Sequence, residues 1–133
     1  MDKPVGLGII LLNSQKQVLL FLRDDKSSIP FPNTWDILGG RSEDNESPEE
    51  GIRREIQEEI ELELGEIYLF RKYIWEDYDE YIFWKDMDLD LTKIKLHEGQ
   101  RLAYFSKENL STTKLAFYDK KILDDFLAFL DSK

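Results

Sequence analysis

Gly39-Gly40-Arg41-Ser42-Glu43-Asp44-Asn45-Glu46-Ser47-Pro48-Glu49-Glu50-Gly51-Ile52-Arg53-Arg54-Glu55-Ile56-Gln57-Glu58-Glu59-Ile60-Glu61-Leu62 is the stretch on which the fold turns. Arg41 to Glu46 is polar and reads as a loop, and Ser47-Pro48-Glu49-Glu50 reads as a helix start. Serine takes the cap, proline the first helical position, and the third-position glutamate closes a capping box. The helix is expected to run to about Ile60. Ile52, Ile56 and Ile60 then form one apolar stripe, with Glu55 and Glu59 along its edge and Glu58 further round. Acids at i, i+3 and i+4 are neighbours that repel one another. A hard divalent cation bound through oxygen would relieve that repulsion. From helix composition alone, a solvated acidic face salted by Arg53 and Arg54 is the plainer reading.

Around this helix the pattern is mostly strand. Val5 to Leu12 and Val18 to Leu22 are apolar runs joined by Asn13-Ser14-Gln15-Lys16-Gln17, which predicts a hairpin. Asp24 to Asn33, with Pro30 and Pro32, is a loop, and Trp35 to Leu38 a short strand before the glycine pair. Further strands are expected at Ile67 to Trp75, Tyr81 to Lys85 and Leu102 to Phe105, with Asp86 to Asp90 an exposed connection. Apolar residues at helical spacing predict a last helix over Phe117 to Leu130. Strands mixed with two helices imply an α+β fold, a sheet covered by helices on its faces.

A chain of 133 residues, 41% hydrophobic, suffices for one domain spanning 1–133. It has no cysteine, which excludes disulfides and thiolate metal sites. The apolar start is too short to span a bilayer and lacks the marks of a signal peptide, so no membrane association is expected and the cytoplasm is the default setting. A net charge of −10 argues against gripping a nucleic-acid polymer, which needs clustered Lys and Arg. A small phosphorylated ligand remains open, provided cations neutralise it locally.

The order Gly40, five residues, Glu46, seven residues, Arg54-Glu55-Ile56-Gln57-Glu58-Glu59-Ile60-Glu61-Leu62 resembles the Nudix box, GX5EX7REUXEEXGU with U a bulky aliphatic. Every defined position but one matches, and Gly39 completes the usual glycine pair. The resemblance implies an α/β/α sandwich around a mixed sheet, and Mg²⁺- or Mn²⁺-dependent hydrolysis of a phosphoanhydride bond in a small nucleotide-like substrate by a monomer or homodimer. By the same resemblance Glu55, Glu58 and Glu59 are metal ligands with the Gly39 carbonyl, and Arg54 with Glu46 braces loop against helix. The departure is Glu61, where the family has glycine. A helix-ending glycine serves a left-handed backbone, so Glu61 is expected to cost about 1 kcal/mol of strain or to shift the helix end. Leu38 stands where a proline often precedes the glycine pair, which bears on loop rigidity. Gly51 adds no side chain one turn before Glu55, leaving room for a phosphate chain.

Outside the box, Arg23 closes a strand similar to the family's second strand, whose final basic residue reaches substrate phosphate; Arg41 is a second candidate. Its surroundings resemble the family's loop acid, so Glu98, in His97-Glu98-Gly99-Gln100, is a further metal ligand or the base that activates water. His97 is the alternative base, since an unperturbed imidazole titrates near neutrality. Phe31 and Trp35, ahead of Tyr78 and Tyr81, are candidates to stack on a nucleobase. The box reports the reaction and leaves the leaving group open. No proline follows Pro48, which removes the mark of many ADP-ribose hydrolases, and the NADH and coenzyme A signatures are absent. Tyr78 lies near a tyrosine of dinucleoside-polyphosphate hydrolases, although in a tyrosine-rich segment. Leu115-Ala116-Phe117-Tyr118 stands where the oxidised-nucleotide branch carries its asparagine. The remaining expectation is a nucleoside triphosphate, or a nucleoside diphosphate linked to another group. A catalytically silent Nudix-like binding module is the alternative.

Overall fold

A computed structural model describes residues 3–133. Strands β1 (Val5–Leu12), β2 (Val18–Leu22) and β3 (Trp35–Arg41) precede helix α1 (Pro48–Ile60). Strands β4 (Tyr68–Ile74) and β5 (Asp79–Asp86), a 3₁₀ turn (Leu91–Lys93) and β6 (Arg101–Phe105) follow, then a short α2 (Lys107–Leu110) and the last helix α3 (Asp119–Asp131). The six strands form one mixed sheet in the order β4-β5-β1-β3-β2-β6. β1 and β5 are parallel, and the other pairs are antiparallel.

The central strands read as near-continuous apolar runs because both faces of the sheet are covered. Leu7, Ile9 and Leu11 of β1 with Leu19, Phe21 and Phe83 pack beneath Ile52, Ile56 and Ile60 of α1. Ile10, Leu12, Val18, Leu20, Ile82 and Trp84 face the other way, onto Ile122, Leu123 and Phe126 of α3. Alternation along each strand therefore builds two cores and the expected sandwich.

Several boundaries differ from the sequence reading. β1 and β2 pair only at Leu12↔Val18. Beyond that point they splay and β3 enters between them, so the expected hairpin survives only at its turn. β3 does not stop at Leu38: Gly6↔Arg41, Leu7↔Gly40 and Gly8↔Gly39 carry it through the glycine pair. Pairing with β1 from Leu38 through Arg41 fixes the backbone there without a proline at Leu38, and Leu38 itself is fully buried. α3 begins two residues later than expected because Phe117 has φ 51, a left-handed conformation that no helix interior accommodates. α2, capped by Ser106, is too short to leave a periodic signature.

Candidate active site

Helix α1 presents its acids to the end of β3. Ser47 Oγ accepts from the Glu50 N–H (3.1 Å) and Glu50 returns the bond to the Ser47 N–H (2.9 Å), so the capping box forms as read. Arg54 is the hub of the loop. Its Nε and one terminal nitrogen donate to both oxygens of Glu46 at 2.6 and 3.0 Å. The other terminal nitrogen donates to Glu55 and Glu58, each at 3.1 Å, and the first also reaches the Arg41 carbonyl at 3.1 Å. The fork of the guanidinium suits this bidentate grip. It holds Glu46 below the usual carboxylate range, chiefly through the Arg54 hydrogen bonds, and raises Arg54 in turn.

Gly51 does not do what the sequence suggested. A Cβ there would lie 2.4 Å from Leu7 Cδ1 and 2.8 Å from Glu46 Oε1, so the space serves close packing of helix on sheet and the brace, not a phosphate chain. The glycine pair has separate duties. Gly39 (φ 154) would place a Cβ 1.9 Å from the Leu7 carbonyl oxygen, and Gly40 would place one 2.4 Å from the Glu55 carboxylate. Gly40 therefore lets Glu55 lie directly against the β3 backbone.

Glu59 is only 5% exposed. Burial, then the nearby charges of Glu98 and Glu55, push it up to about 10. Glu58 is turned outward, its side chain 58% exposed and paired with Arg54. Among the described residues no three acids already converge as a closed metal cage. The donor chemistry nevertheless suits a hard cation: Glu59 has no salt-bridge partner among the described residues and feels the charges of Glu98 and of Glu55, which Arg54 holds from one side, beside the strand end that carries the Gly39 carbonyl. The proton that burial forces onto Glu59 is what an incoming divalent ion would replace.

A cavity of about 520 Å³ opens beside this cluster, lined by Gly39, Gly40, Glu98 and both candidate arginines. Arg41 is exposed at its mouth, with no carboxylate within 4 Å among the described residues. Arg23 also lines it but is engaged: it donates to Asp36 (3.0 Å) and the Pro30 carbonyl (3.0 Å) and lies over the Phe117 ring (5.0 Å). Of the two, Arg41 is the one without a carboxylate partner among the described residues.

The aromatic expectations are redistributed. Phe117, Phe21 and Tyr78 line the cavity, whereas Phe31 stands behind Phe117 with ring centroids 4.7 Å apart. Trp35 points to the opposite core, edge-on to Phe105 at 4.8 Å, and so does not face the cavity. Tyr81 joins the α1-side core. His97 is turned onto the carboxylate of Glu61 and does not line the cavity.

A second acid group escaped the sequence reading. Asp36 and Glu80 line the cavity, and Asp119, 2% exposed, sits behind Asp36 and accepts from the Ile37 N–H at 3.0 Å. Burial, then Asp36, pushes Asp119 well above the usual carboxylate range; burial lifts Glu80 to about 6. The available signal was a charged residue inside an apolar strand, Trp35-Asp36-Ile37, and another opening the last helix.

Comparison with known proteins places the chain in a family. An RNA pyrophosphohydrolase of Pseudomonas paraeruginosa is 39% identical over 62 residues, 47% of this chain and 35% of that protein. An 8-oxo-dGTP diphosphatase of Proteus vulgaris is 38% identical over 72 residues, 52% of this chain and 62% of the other. The match thus spans less than two thirds of either relative. The MutT fold described for Aliivibrio salmonicida and Vibrio cholerae superposes with a TM-score of 0.79 at 19% identity, covering 96% of this chain and 98% of that one. The family model described as NUDIX domain matches residues 2–126, and with the box, the sandwich and the acid-lined strand end in place, the chain belongs to the Nudix family.

Proposed function

We propose that the chain hydrolyses a phosphoanhydride bond in a nucleoside triphosphate, or in a nucleoside diphosphate linked to another group, with Mg²⁺ or Mn²⁺ held by Glu55, Glu58, Glu59 and the Gly39 carbonyl. The observation that carries this reading is buried Glu59, held among Glu55 and Glu98 at the cavity that Arg41 overlooks. Bound there, a divalent cation neutralises diphosphate charge and acts as a Lewis acid.

The chain's own groups supply the rest. Arg41 grips phosphate oxygens at the cavity mouth. Glu98, on an exposed loop, takes a proton from the attacking water as the new P–O bond forms and the bridging P–O bond breaks; the bridging oxygen leaves with the departing phosphate. Arg54 and Glu46 keep α1 and β3 at a fixed spacing, which orients the acids. The relatives named RNA pyrophosphohydrolase and 8-oxo-dGTP diphosphatase fit this bond type. The acidic surroundings, Asp36, Asp77 and Glu80 against two arginines, favour a small nucleotide over a polymer. They also favour a base that offers amino donors to carboxylate acceptors.

The test is a panel of nucleoside triphosphates, oxidised triphosphates, dinucleoside polyphosphates and nucleotide sugars with Mg²⁺ or Mn²⁺, scoring nucleotide and phosphate release. Glu59→Gln is expected to lower kcat at least about 100-fold, and chelation to abolish turnover. Silence across the panel, or turnover indifferent to both changes, would defeat the enzyme reading.

A further inference from the structure

α1 ends in a strained residue that is not glycine. Glu61 caps the helix with φ 54 and ψ 41. A left-handed conformation costs a side-chain-bearing residue on the order of 1 kcal/mol, and the box consensus carries glycine there. A strained residue invites the question of what its side chain holds. The Glu61 carboxylate meets Nε2 of His97, the single histidine, across 36 residues of sequence. The same histidine donates its backbone N–H to the Glu59 carbonyl at 2.8 Å. His97 is thus tied to the end of α1 by its side chain and by its main chain.

The next residue is Glu98. On its far side Gly99 (φ 85) lies so close to β2 that a Cβ would fall 2.6 Å from the Phe21 ring and 2.9 Å from the Leu22 carbonyl oxygen. Gln100 donates its backbone N–H to that same carbonyl at 2.8 Å, and its side chain donates to the Arg23 carbonyl (2.8 Å) and Asn33 Oδ1 (2.9 Å). Glu98 is therefore strung between two anchors immediately adjacent in sequence, one on the helix and one on the sheet. A span this short leaves little slack, since each residue reaches at most about 3.6 Å. With both anchors closed, the carboxylate is held at the cavity facing Glu59; with the helix-side contact open, only one backbone hydrogen bond restrains that end.

We propose that Glu61 and His97 form a clamp that positions Glu98 over the cavity, both acting as positioning residues and neither touching substrate. The inference rests on the role given to Glu98 above.

Glu61→Gly separates the clamp from ordinary stability, because it relieves backbone strain while removing the contact. Three effects are expected: a melting temperature equal to or above that of the parent, kcat lowered about tenfold with KM within twofold, and amide hydrogen exchange at His97 in metal-free protein accelerated at least about tenfold. Exchange at Gln100, anchored to β2, stays unchanged. His97→Ala gives the same kcat, and Glu61→Gly/His97→Ala no further loss, since both remove one contact. Glu61→Gln keeps an acceptor oxygen for His97 and the same backbone strain, and holds kcat within about threefold of the parent. Parent-like exchange at His97 in Glu61→Gly overturns the clamp, whatever turnover does. Full turnover in Glu98→Gln overturns instead the role of Glu98, and with it the clamp's catalytic purpose, while the exchange result stands apart.

Discussion

Asp119 shows how a single buried carboxyl couples the site to pH. It sits with Asp36 on one side and the Ile37 N–H on the other, fully shielded from water, and Asp36 is already paired with Arg23. Burial and the adjacent acid keep the proton on Asp119 above the ordinary carboxylate value of 3.8. The folded chain then holds a proton that the unfolded chain releases. Its contribution to stability is complete below that value and declines as pH rises towards the folded value, at up to about 1.4 kcal/mol per pH unit. Asp119→Asn retains an acceptor for Ile37 and supplies amide donors to Asp36 without needing a proton. Chemical denaturation at pH 5 and pH 8 is expected to give a smaller fall in stability for Asp119→Asn than for the parent. An equal fall in both would place the missing proton elsewhere.

At the scale of the element, α1 shows packing overruling propensity. Alanine is preferred to glycine inside a helix by about 1 kcal/mol, so Gly51 looks like a site for improvement. Its missing Cβ, however, is where Leu7 of β1 and the Glu46 carboxylate meet the helix. A methyl group must displace one or both, and overpacking costs about 1–3 kcal/mol, with Glu46 pushed against its grip on Arg54. Gly51→Ala is therefore expected to lower the urea midpoint, and to lower kcat as well through the disturbed brace. A raised midpoint would show that Leu7 simply rotates away. The same helix shows which features are readable without a structure. The capping box, the isoleucine stripe and the Arg54–Glu46 spacing are local or periodic, and each forms as written. Glu58, read as lying further round from the stripe, is exposed and meets Arg54 one turn back, an i,i+4 contact within the helix itself.

At the scale of the molecule, two helical layers press on one sheet, and the acids of α1 are brought to a strand end already crowded with negative charge. An ion bound only by the folded protein stabilises it by about 2.7 kcal/mol at a hundred times its dissociation constant. Saturating Mg²⁺ is accordingly expected to raise the melting temperature by roughly 10 °C. Because the ion must displace the proton that burial places on Glu59, the rise is larger at pH 8 than at pH 6. Scanning calorimetry at the two pH values checks this, and a rise independent of pH, or preserved in Glu59→Gln, would remove Glu59 from the binding set.

The sequence by itself determined the two long helices, most strand positions and the grouping of acids on α1 with its Arg54–Glu46 brace, because capping, periodicity and the glycine–glutamate–arginine spacing act over one or two turns of chain. Tertiary structure decided what depends on residues far apart in sequence. It put β3 between β1 and β2, turned Trp35 into the α3-side core and brought Phe117 to the cavity. It spent Arg23 on Asp36 while leaving Arg41 open, and it joined Glu61 to His97. None of these has a local signature, since each follows from which face of a strand is buried and which distant charge lies within hydrogen-bonding reach.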